Sequence, residues 1–148
     1  MKTLLVVFAA ATLAAQDAPV MIQEADLKWE AAPPSLPTGM KVVFLQGDTK
    51  KEGPFTFRAK LPADCKIPPH FHPGTEMLTV LSGTLNAAMG DTFDASKAKA
   101  MKAGAFISLP AKSPHYVFAK EETVIQVSGQ GPWGITYVNP ADDPRSRN

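Results

Sequence analysis

The chain contains three histidines, and all of them stand in patterns that suit metal binding. His70 and His72 are separated by a single residue, and Glu76 follows shortly after them. His115 lies much further along the chain. Imidazole nitrogen and carboxylate oxygen together suit divalent first-row transition metals. The sequence therefore predicts one metal site with these four ligands, and Glu76 becomes a candidate general base if it detaches from the metal.

The spacing of these residues indicates how strands must position them. Side chains alternate along a strand, so His70 and His72 should point to the same face. Pro73-Gly74 should turn the chain before Glu76, and His115 begins a later β-prone run that must lie beside the first strand. Three imidazoles and one carboxylate leave one or two positions open on a five- or six-coordinate ion. An open position is typical of catalytic rather than structural metal sites.

The surrounding sequence consists of short β-prone runs separated by turn residues. Many short strands at such spacing favour an antiparallel sandwich or barrel. Ser82-Gly83 predicts a tight hairpin, because glycine tolerates the positive φ that such turns require. Segment 91–102 is interpreted as a helical turn or a solvated loop, and Pro68-Pro69 as a break. The predicted strands are 41–46, 55–61, 76–81, 84–89, 106–109, 115–119, 123–128 and 135–138.

The N-terminus has the layout of a secretory signal peptide. Lys2 provides a positive start, residues 3–13 are almost wholly apolar, and small residues precede the expected cleavage near Ala18. We expect an exported protein, periplasmic or secreted, with no membrane association after cleavage. The predicted organisation is a signal peptide at 1–18, a Pro/Ala-rich extended arm at 19–39 with at most one short helical piece, a β-barrel at 40–140 and an exposed tail at 141–148.

Composition excludes several classes of partner. The formal net charge is only +1 and charges of both signs are mixed, which does not favour nucleic acid or an anionic membrane. The single cysteine, Cys65, cannot form an internal disulfide. It is either a small buried hydrophobic residue or a group near the metal site. We expect a small-molecule ligand or substrate instead.

The two histidine segments resemble the two sequence motifs of the cupin superfamily. The first motif is matched from its histidines to its closing glycine by His70-x-His72-x3-Glu76-x6-Gly83. The second is matched by Gly104-x5-Pro110-x-Lys112-x2-His115-x3-Ala119. The chain departs from the family at three positions that are not ligands. Asp64 replaces an opening glycine, Lys112 a turn glycine and Ala119 a terminal asparagine.

The resemblance covers residues 40 to 140 and implies a small single-domain cupin. Its fold would be all-β, a double-stranded β-helix or jelly-roll barrel with an extended N-terminal arm, and one metal would lie inside the barrel mouth. His70, His72, Glu76 and His115 would be the ligands of one divalent transition metal, which can be iron, manganese, copper, nickel, cobalt or zinc in such proteins. The resemblance also implies a homodimer.

Three kinds of function fit these features. The first is a small exported metalloenzyme, a dioxygenase-like oxidoreductase acting on a small organic molecule that chelates the metal. Decarboxylases and isomerases of similar architecture belong to the same broad class. The second is a non-catalytic cupin that binds or senses a metal or small ligand. The third is an interaction domain in which the metal only stiffens the barrel.

Several apolar residues are candidates for the wall of the cavity or for ordinary barrel core. Met89, Phe106 and Val117 are the ones considered, and Val117 should share the inward face of His115, whereas Tyr116 should point away. Trp133 could gate a pocket or anchor a turn against the barrel.

Overall fold

The computed structural model describes residues 19–147 and consists almost entirely of β-strands. The predicted signal peptide therefore lies outside the described residues. No helix within 19–147 has the length and apolar character needed to cross a membrane. The strands are β1 (Glu30–Ala31), β2 (Lys41–Gln46), β3 (Gly53–Leu61), β4 (Lys66–Phe71), β5 (Glu76–Ser82), β6 (Thr84–Met89), β7 (Lys99–Lys102), β8 (Phe106–Leu109), β9 (His115–Phe118), β10 (Thr123–Gly131) and β11 (Thr136–Tyr137). Short 3₁₀ helices cover Glu24–Asp26, Ala95–Lys97, Pro140–Asp142 and Pro144–Arg147.

The strands form two antiparallel sheets with a jelly-roll arrangement, which confirms the predicted fold class. The six-stranded sheet has the order β1-β2-β3-β10-β5-β8, and the five-stranded sheet has the order β11-β4-β9-β6-β7. All strand pairs in both sheets are antiparallel. Each sheet therefore presents one face to the interior, where apolar side chains from both sheets meet.

The longest strands show why this interior forms. β3 and β10 pair along nine residues each, from Gly53 opposite Gly131 to Leu61 opposite Thr123. Buried and partly buried residues alternate along both strands, which is the pattern of a sheet with one face in the core. Burial of apolar area at roughly 25 cal/mol per Å² is the main force that holds the two sheets together. The buried side chains that β3 and β10 contribute are Phe55, Phe57, Ala59, Leu61, Thr123, Ile125 and Val127, and Gly129 is buried as well.

The eight strands predicted with bounds are present within a few residues of those bounds. The strand inferred to carry His70 is β4, whereas β1 and β7 were not predicted. β4, which carries His70, contains Pro68-Pro69, the pair interpreted as a break. Its pairing with β9 is irregular between Ile67 and His70, and such an irregularity tolerates the missing proline N–H groups. Segment 91–102 contains both a 3₁₀ turn and the strand β7.

The predicted hairpin at Ser82-Gly83 is wrong. Gly83 does make a tight turn with φ of +73°, but β5 and β6 on either side of it belong to different sheets. The strands that pair with β6 are β7 and β9. The glycine therefore allows the chain to cross from one sheet to the other in a single residue.

The N-terminal arm lies against the barrel. It contains the predicted short helical piece, Glu24–Asp26, and β1, which extends the six-stranded sheet beside β2. Trp29 lies under the Lys60 ammonium group, with 4.8 Å between the nitrogen and the ring centroid. The Tyr137 hydroxyl donates a hydrogen bond to the Ser35 carbonyl at 2.9 Å, which ties the arm to β11.

Candidate metal centre

The two sheets bring the four predicted ligand residues together at one end of the interior. His70 in β4 is paired directly with His115 in β9, so the two strands do lie side by side as the sequence requires. His72 follows the end of β4 by one residue. Glu76 is the first residue of β5 in the opposite sheet. The site is therefore closed from both sides by the sandwich.

The distances between the polar atoms are short enough for one ion to contact all three imidazoles. One ring nitrogen from each of His70, His72 and His115 lies within 4.8 Å of the other two. Glu76 Oε2 lies 3.4 Å from His72 Nε2 and 3.5 Å from His115 Nε2. All four side chains are buried. Buried polar groups that converge without neutralising one another are typical of a metal site.

Backbone carbonyl groups fix the orientation of all three rings. His70 Nδ1 lies 2.7 Å from the Pro68 carbonyl oxygen. His72 Nδ1 lies 2.7 Å from the Gly134 carbonyl oxygen. The same relation holds for His115 Nδ1 and the Ser113 carbonyl, at 3.0 Å. A carbonyl can only accept, so each Nδ1 carries the proton and donates it, and Nε2 is then the ring nitrogen through which each histidine would bind a metal.

The local sequence explains two of these three bonds. In both Pro68-Pro69-His70 and Ser113-Pro114-His115, a proline precedes the histidine and the accepting carbonyl belongs to the residue two positions back. Proline fixes its own φ near −65° and keeps the preceding residue extended. The repeated X-Pro-His order is thus a sequence feature from which this anchoring could have been predicted.

Burial and charge act together on the titration of the site. Burial lowers the pKa of His70 to about 3, with the charges of His115 and His72 adding to the effect, so this ring is neutral at pH 7. Burial raises the pKa of Glu76, but its interactions with His115 and His72 outweigh burial and lower the pKa to about 2. The carboxyl is therefore ionised at pH 7, which is the state in which a carboxylate binds a metal.

The residues fit a divalent metal because the arrangement needs a positive charge at its centre. Among residues 19–147, His72 Nε2 has no hydrogen-bond partner although it is buried. It lies 3.4 Å from an ionised carboxylate oxygen of Glu76, and a metal ion bound by both atoms would give this buried nitrogen a partner. A metal ion held by three Nε2 atoms and one carboxylate oxygen would supply that charge.

Trp133 is part of the site's surroundings in a way that the sequence did not reveal. Its ring stacks on His72 with 4.3 Å between centroids and 15° between planes, and it also contacts Phe55 and Phe57. The residue thus packs against both the barrel and a metal-site histidine. Its Nε1 is buried and has no hydrogen-bond partner within the described part of the chain.

Cys65 belongs to the hydrophobic core rather than to the ligand group. It is buried among apolar residues and is absent from the metal-type cluster found in residues 19–147. Burial raises the pKa of its thiol to about 11. The interpretation as a small buried hydrophobic residue is therefore the one that the structure supports.

Two of the three departures from the cupin motifs occur where the backbone suits glycine. Asp64 and Lys112 have φ values of +60° and +59°, and they are the only non-glycine residues with positive φ in the described range. Asp64 and Lys112 thus keep the left-handed backbone that glycine adopts without strain. The Lys112 N–H donates to the His72 carbonyl at 2.8 Å, so this turn links the two motifs.

The site opens into a very small space inside the barrel. This interior cavity has a volume of about 40 Å³ and contains all four candidate ligands in its wall. Val117 lines it from the side of His115, as predicted, whereas Tyr116 points away and donates a hydrogen bond to the Asp94 carbonyl. Met89 and Phe106 do not line the interior cavity; they are half exposed and border a separate one.

Comparisons with known proteins agree with this architecture. The chain matches the sequence family described as the ChrR Cupin-like domain over residues 17–133. A search of curated proteins finds no match. The polyketide cyclase RemF from Streptomyces resistomycificus is similar in structure, with a TM-score of 0.71 and 18% identity over 86% of this chain and 90% of that protein.

Two further structures of similar fold carry a dioxygenase name. The putative acetylacetone dioxygenase from Methylibium petroleiphilum PM1 has a TM-score of 0.69 and 18% identity, covering 90% of both chains. The acetylacetone dioxygenase from Acinetobacter johnsonii has a TM-score of 0.68 and 13% identity, covering 93% of this chain and 88% of that one. At such identities the likeness concerns the fold, and the same fold supports different chemistry.

Proposed function

The chain belongs to the ChrR cupin-like family of the cupin superfamily, and we propose that it is a metal-dependent, oxygenase-like enzyme acting on a small organic molecule that chelates the metal. The observation that carries the proposal is the convergence of three buried imidazoles, each anchored to a backbone carbonyl, with two of them beside the Glu76 carboxylate. His70, His72, Glu76 and His115 would hold one divalent transition metal. When bound, such a metal supplies Lewis acidity and, if redox-active, a route for electrons to dioxygen.

The protein residues would contribute position, charge and exclusion of water. Each histidine ring is anchored to a backbone carbonyl, so the site would be preorganised for a metal and its ligand. Glu76 supplies one negative charge, which leaves a net positive charge on a divalent site and favours an anionic chelating oxygen pair. Trp133 covers one face of His72 and keeps water from that side of the site.

Two structural neighbours named as acetylacetone dioxygenases suggest the first substrates to test. Acetylacetone is a 1,3-dicarbonyl, and the enolate of such a compound offers two oxygens to one metal. We therefore propose 1,3-dicarbonyl compounds as the initial substrate panel. Because the identities are below 20%, the panel should also contain 2-oxo and 2-hydroxy acids, which chelate through a similar oxygen pair.

The test begins with metal identity. The mature protein is purified without an affinity tag and its metal is measured by elemental analysis, followed by oxygen uptake with the substrate panel. Redox-active iron, copper or manganese with substrate-dependent oxygen uptake would support the proposal. Stoichiometric zinc with no uptake across the panel would contradict the oxygenase assignment.

Two substitutions test the ligand set. His72→Ala should reduce metal content to below a tenth of one equivalent, because it removes a ligand whose other nitrogen is fixed for metal binding. Glu76→Ala should weaken metal binding as well. Glu122→Ala is the matched control, since Glu122 is largely exposed and its one ion pair within residues 19–147 is with Lys60. Full metal occupancy in the His72 variant would refute the assignment.

A second candidate function is supported by the size of the interior cavity. About 40 Å³ holds a metal ion with one water-sized group but no organic substrate. A non-catalytic cupin that binds or senses a metal needs no more space than this. Tight, stoichiometric metal binding would favour this function over an enzymatic one if no chelating compound is turned over or if none is bound.

We further propose that the protein is exported and forms a homodimer. Export is supported by the apolar run near the N-terminus. N-terminal sequencing of the protein recovered from cells should show a chain that begins near residue 19, and a retained Met1 would contradict export. Sedimentation should give twice the mass of the mature chain, and a monomer at every concentration would contradict the dimer.

A further inference from the structure

A second cavity lies beside the metal centre and takes no part in the function described so far. It has a volume of about 310 Å³ and lies where β7 and β8, the edge strands of the two sheets, face the solvent. We call it the edge pocket. Its apolar wall includes Ala87 and Met89 of β6, Met101 of β7, and Phe106, Ile107 and Leu109 of β8.

The lining of the edge pocket is suited to hydrocarbon. Apart from His115, its polar residues are Lys99, Ser108 and Tyr116. Lys99 and Ser108 are exposed, and the Tyr116 hydroxyl already donates to the Asp94 carbonyl. Few polar groups are thus left to orient a polar molecule, so the binding of a ligand in the edge pocket would be stabilised by apolar burial alone.

The exposure of two large apolar side chains at the edge pocket also favours an apolar ligand. Met89 is 53% exposed and Phe106 is 59% exposed, although both are large and apolar. Single exposed hydrophobic residues are ordinary, but here two of them border one concave space. A ligand seated in the edge pocket would cover both of them.

The edge pocket adjoins the interior cavity through a shared wall. Leu78, His115 and Val117 line both spaces. His115 is a candidate metal ligand, so one face of this wall belongs to the metal centre. A molecule whose oxygens reach the metal has no room for its remaining atoms in 40 Å³. The edge pocket is an apolar volume on the other side of the wall that carries His115.

We propose that the edge pocket binds the apolar body of the substrate, while the chelating end of the same molecule reaches the histidine site past His115. This inference rests on the proposed function. It names the substrate class as an amphiphile with a chelating oxygen pair joined to an alkyl or aryl body. At roughly 30 Å³ per water-sized group, 310 Å³ accommodates a body of about ten such groups.

The first experiment measures the pocket without any metal. N-phenyl-1-naphthylamine, an apolar dye that fluoresces when buried, is titrated with the metal-free protein, the Ala87→Phe variant and the Ala100→Phe variant. Ala87 lines the edge pocket, whereas Ala100 on the adjacent strand is exposed and does not. We expect dye binding to wild type, at least a tenfold loss in the Ala87 variant, and a change within twofold in the Ala100 variant.

Met89→Lys provides a second test that does not depend on core packing. Met89 is half exposed, so the substitution should leave the fold intact, but it places a charge at the wall of an apolar space. Dye affinity should fall at least tenfold. Absence of dye binding to wild type, or equal binding to all variants, would overturn the proposal. A dimer that does not bind the dye and that dissociates in the Met89 variant would also overturn it. In that case a second copy of the chain would occupy the edge pocket.

The second experiment joins the pocket to the metal. Straight-chain hydroxamates from two to eight carbons are titrated into zinc-loaded protein by calorimetry. Each added methylene should increase affinity about three- to fourfold in wild type and in the Ala100 variant. The series should be flat in the Ala87 variant, with the two-carbon compound unchanged. A flat series in wild type would refute the inference.

The outcomes separate this inference from the proposed function. Failure of the two-carbon hydroxamate to bind zinc-loaded protein would contradict an open metal site, and the dye titration would still decide whether the pocket binds apolar molecules. Strong hydroxamate binding without chain-length dependence would leave the metal site in place and reject the edge pocket as part of it.

Discussion

Lys112 offers a sharp test of how the turn between the motifs is built, because it holds a backbone conformation that glycine adopts more readily. Its φ is +59°, its side chain is exposed, and its N–H donates to the His72 carbonyl. A non-glycine residue in the left-handed region costs about 1–2 kcal/mol. Glycine removes that cost but loses about 0.5–1 kcal/mol through the greater freedom of the unfolded chain. We therefore expect Lys112→Gly to raise the free energy of unfolding by about 0.5–1 kcal/mol.

The matched control is Lys102→Gly, the same substitution at an exposed position inside β7, where φ is not positive. Glycine at this position increases the conformational entropy of the unfolded chain and relieves no backbone strain, so this variant should be destabilised by about 0.5–1 kcal/mol. Urea and thermal unfolding of metal-free protein would show the two variants moving in opposite directions, by about 2–4 °C per kcal/mol in the melting temperature. If Lys112→Gly is destabilised as much as Lys102→Gly, the reasoning from backbone strain is refuted.

Three other predictions follow from features of the fold and the site. Gly83→Ala should lose at least about 2 kcal/mol in urea unfolding, because its Cβ would lie 2.5 Å from a backbone carbonyl at a φ of +73°. Gly104→Ala, at a similar φ of +87° but with nothing within 4 Å, should lose less, and equal losses would contradict the steric argument. Copper binding should quench the fluorescence of Trp133, which stacks on His72, so quenching should persist in Trp29→Phe and disappear in Trp133→Phe. Cys65 should react with a thiol reagent at pH 8 at least a hundredfold more slowly in the folded protein than in urea, since burial raises its pKa to about 11 and keeps the thiol protonated; rapid labelling of folded protein would disprove this. Because thiolate is disfavoured in the folded state, the same shift lowers stability as pH rises above the ordinary thiol pKa of 9.0.

The convergence of the four polar residues could be predicted because the spacing of the histidines can be read directly from the sequence, and the chain has no histidine outside the two motifs. Short strands at regular spacing predicted an antiparallel sandwich or barrel, and the resemblance to cupins implied the jelly roll. A strand carrying His70 was inferred from the ligand spacing, but the extent of β4 through Pro68-Pro69 could not be predicted, since two prolines ordinarily interrupt a strand. The irregular pairing with β9 accommodates them. β7 could not be predicted because its lysines interrupt the alternation of apolar and polar residues that indicates a strand.

The crossing at Gly83 and the stacking of Trp133 on His72 were beyond the sequence for another reason. A glycine turn between two β-prone runs has the same sequence whether the strands pair or separate, and only the burial of both sheets decides between these outcomes. Trp133 and His72 are far apart in the chain, and their contact depends on how the segment after β10 returns to the barrel end. Long-range packing of this kind leaves no mark on local spacing.

The carbonyl anchoring of the three rings has a consequence for how the protein can change over time. Every residue type provides the same carbonyl oxygen, so substitutions at Ser113 or Gly134 alter side chains without removing the acceptor. The orientation of the metal-site histidines is thus encoded in the path of the main chain. Substitutions of the side chains that line the cavity can therefore change substrate preference, in evolution or in the laboratory, while the main chain keeps the orientation of the metal-site histidines.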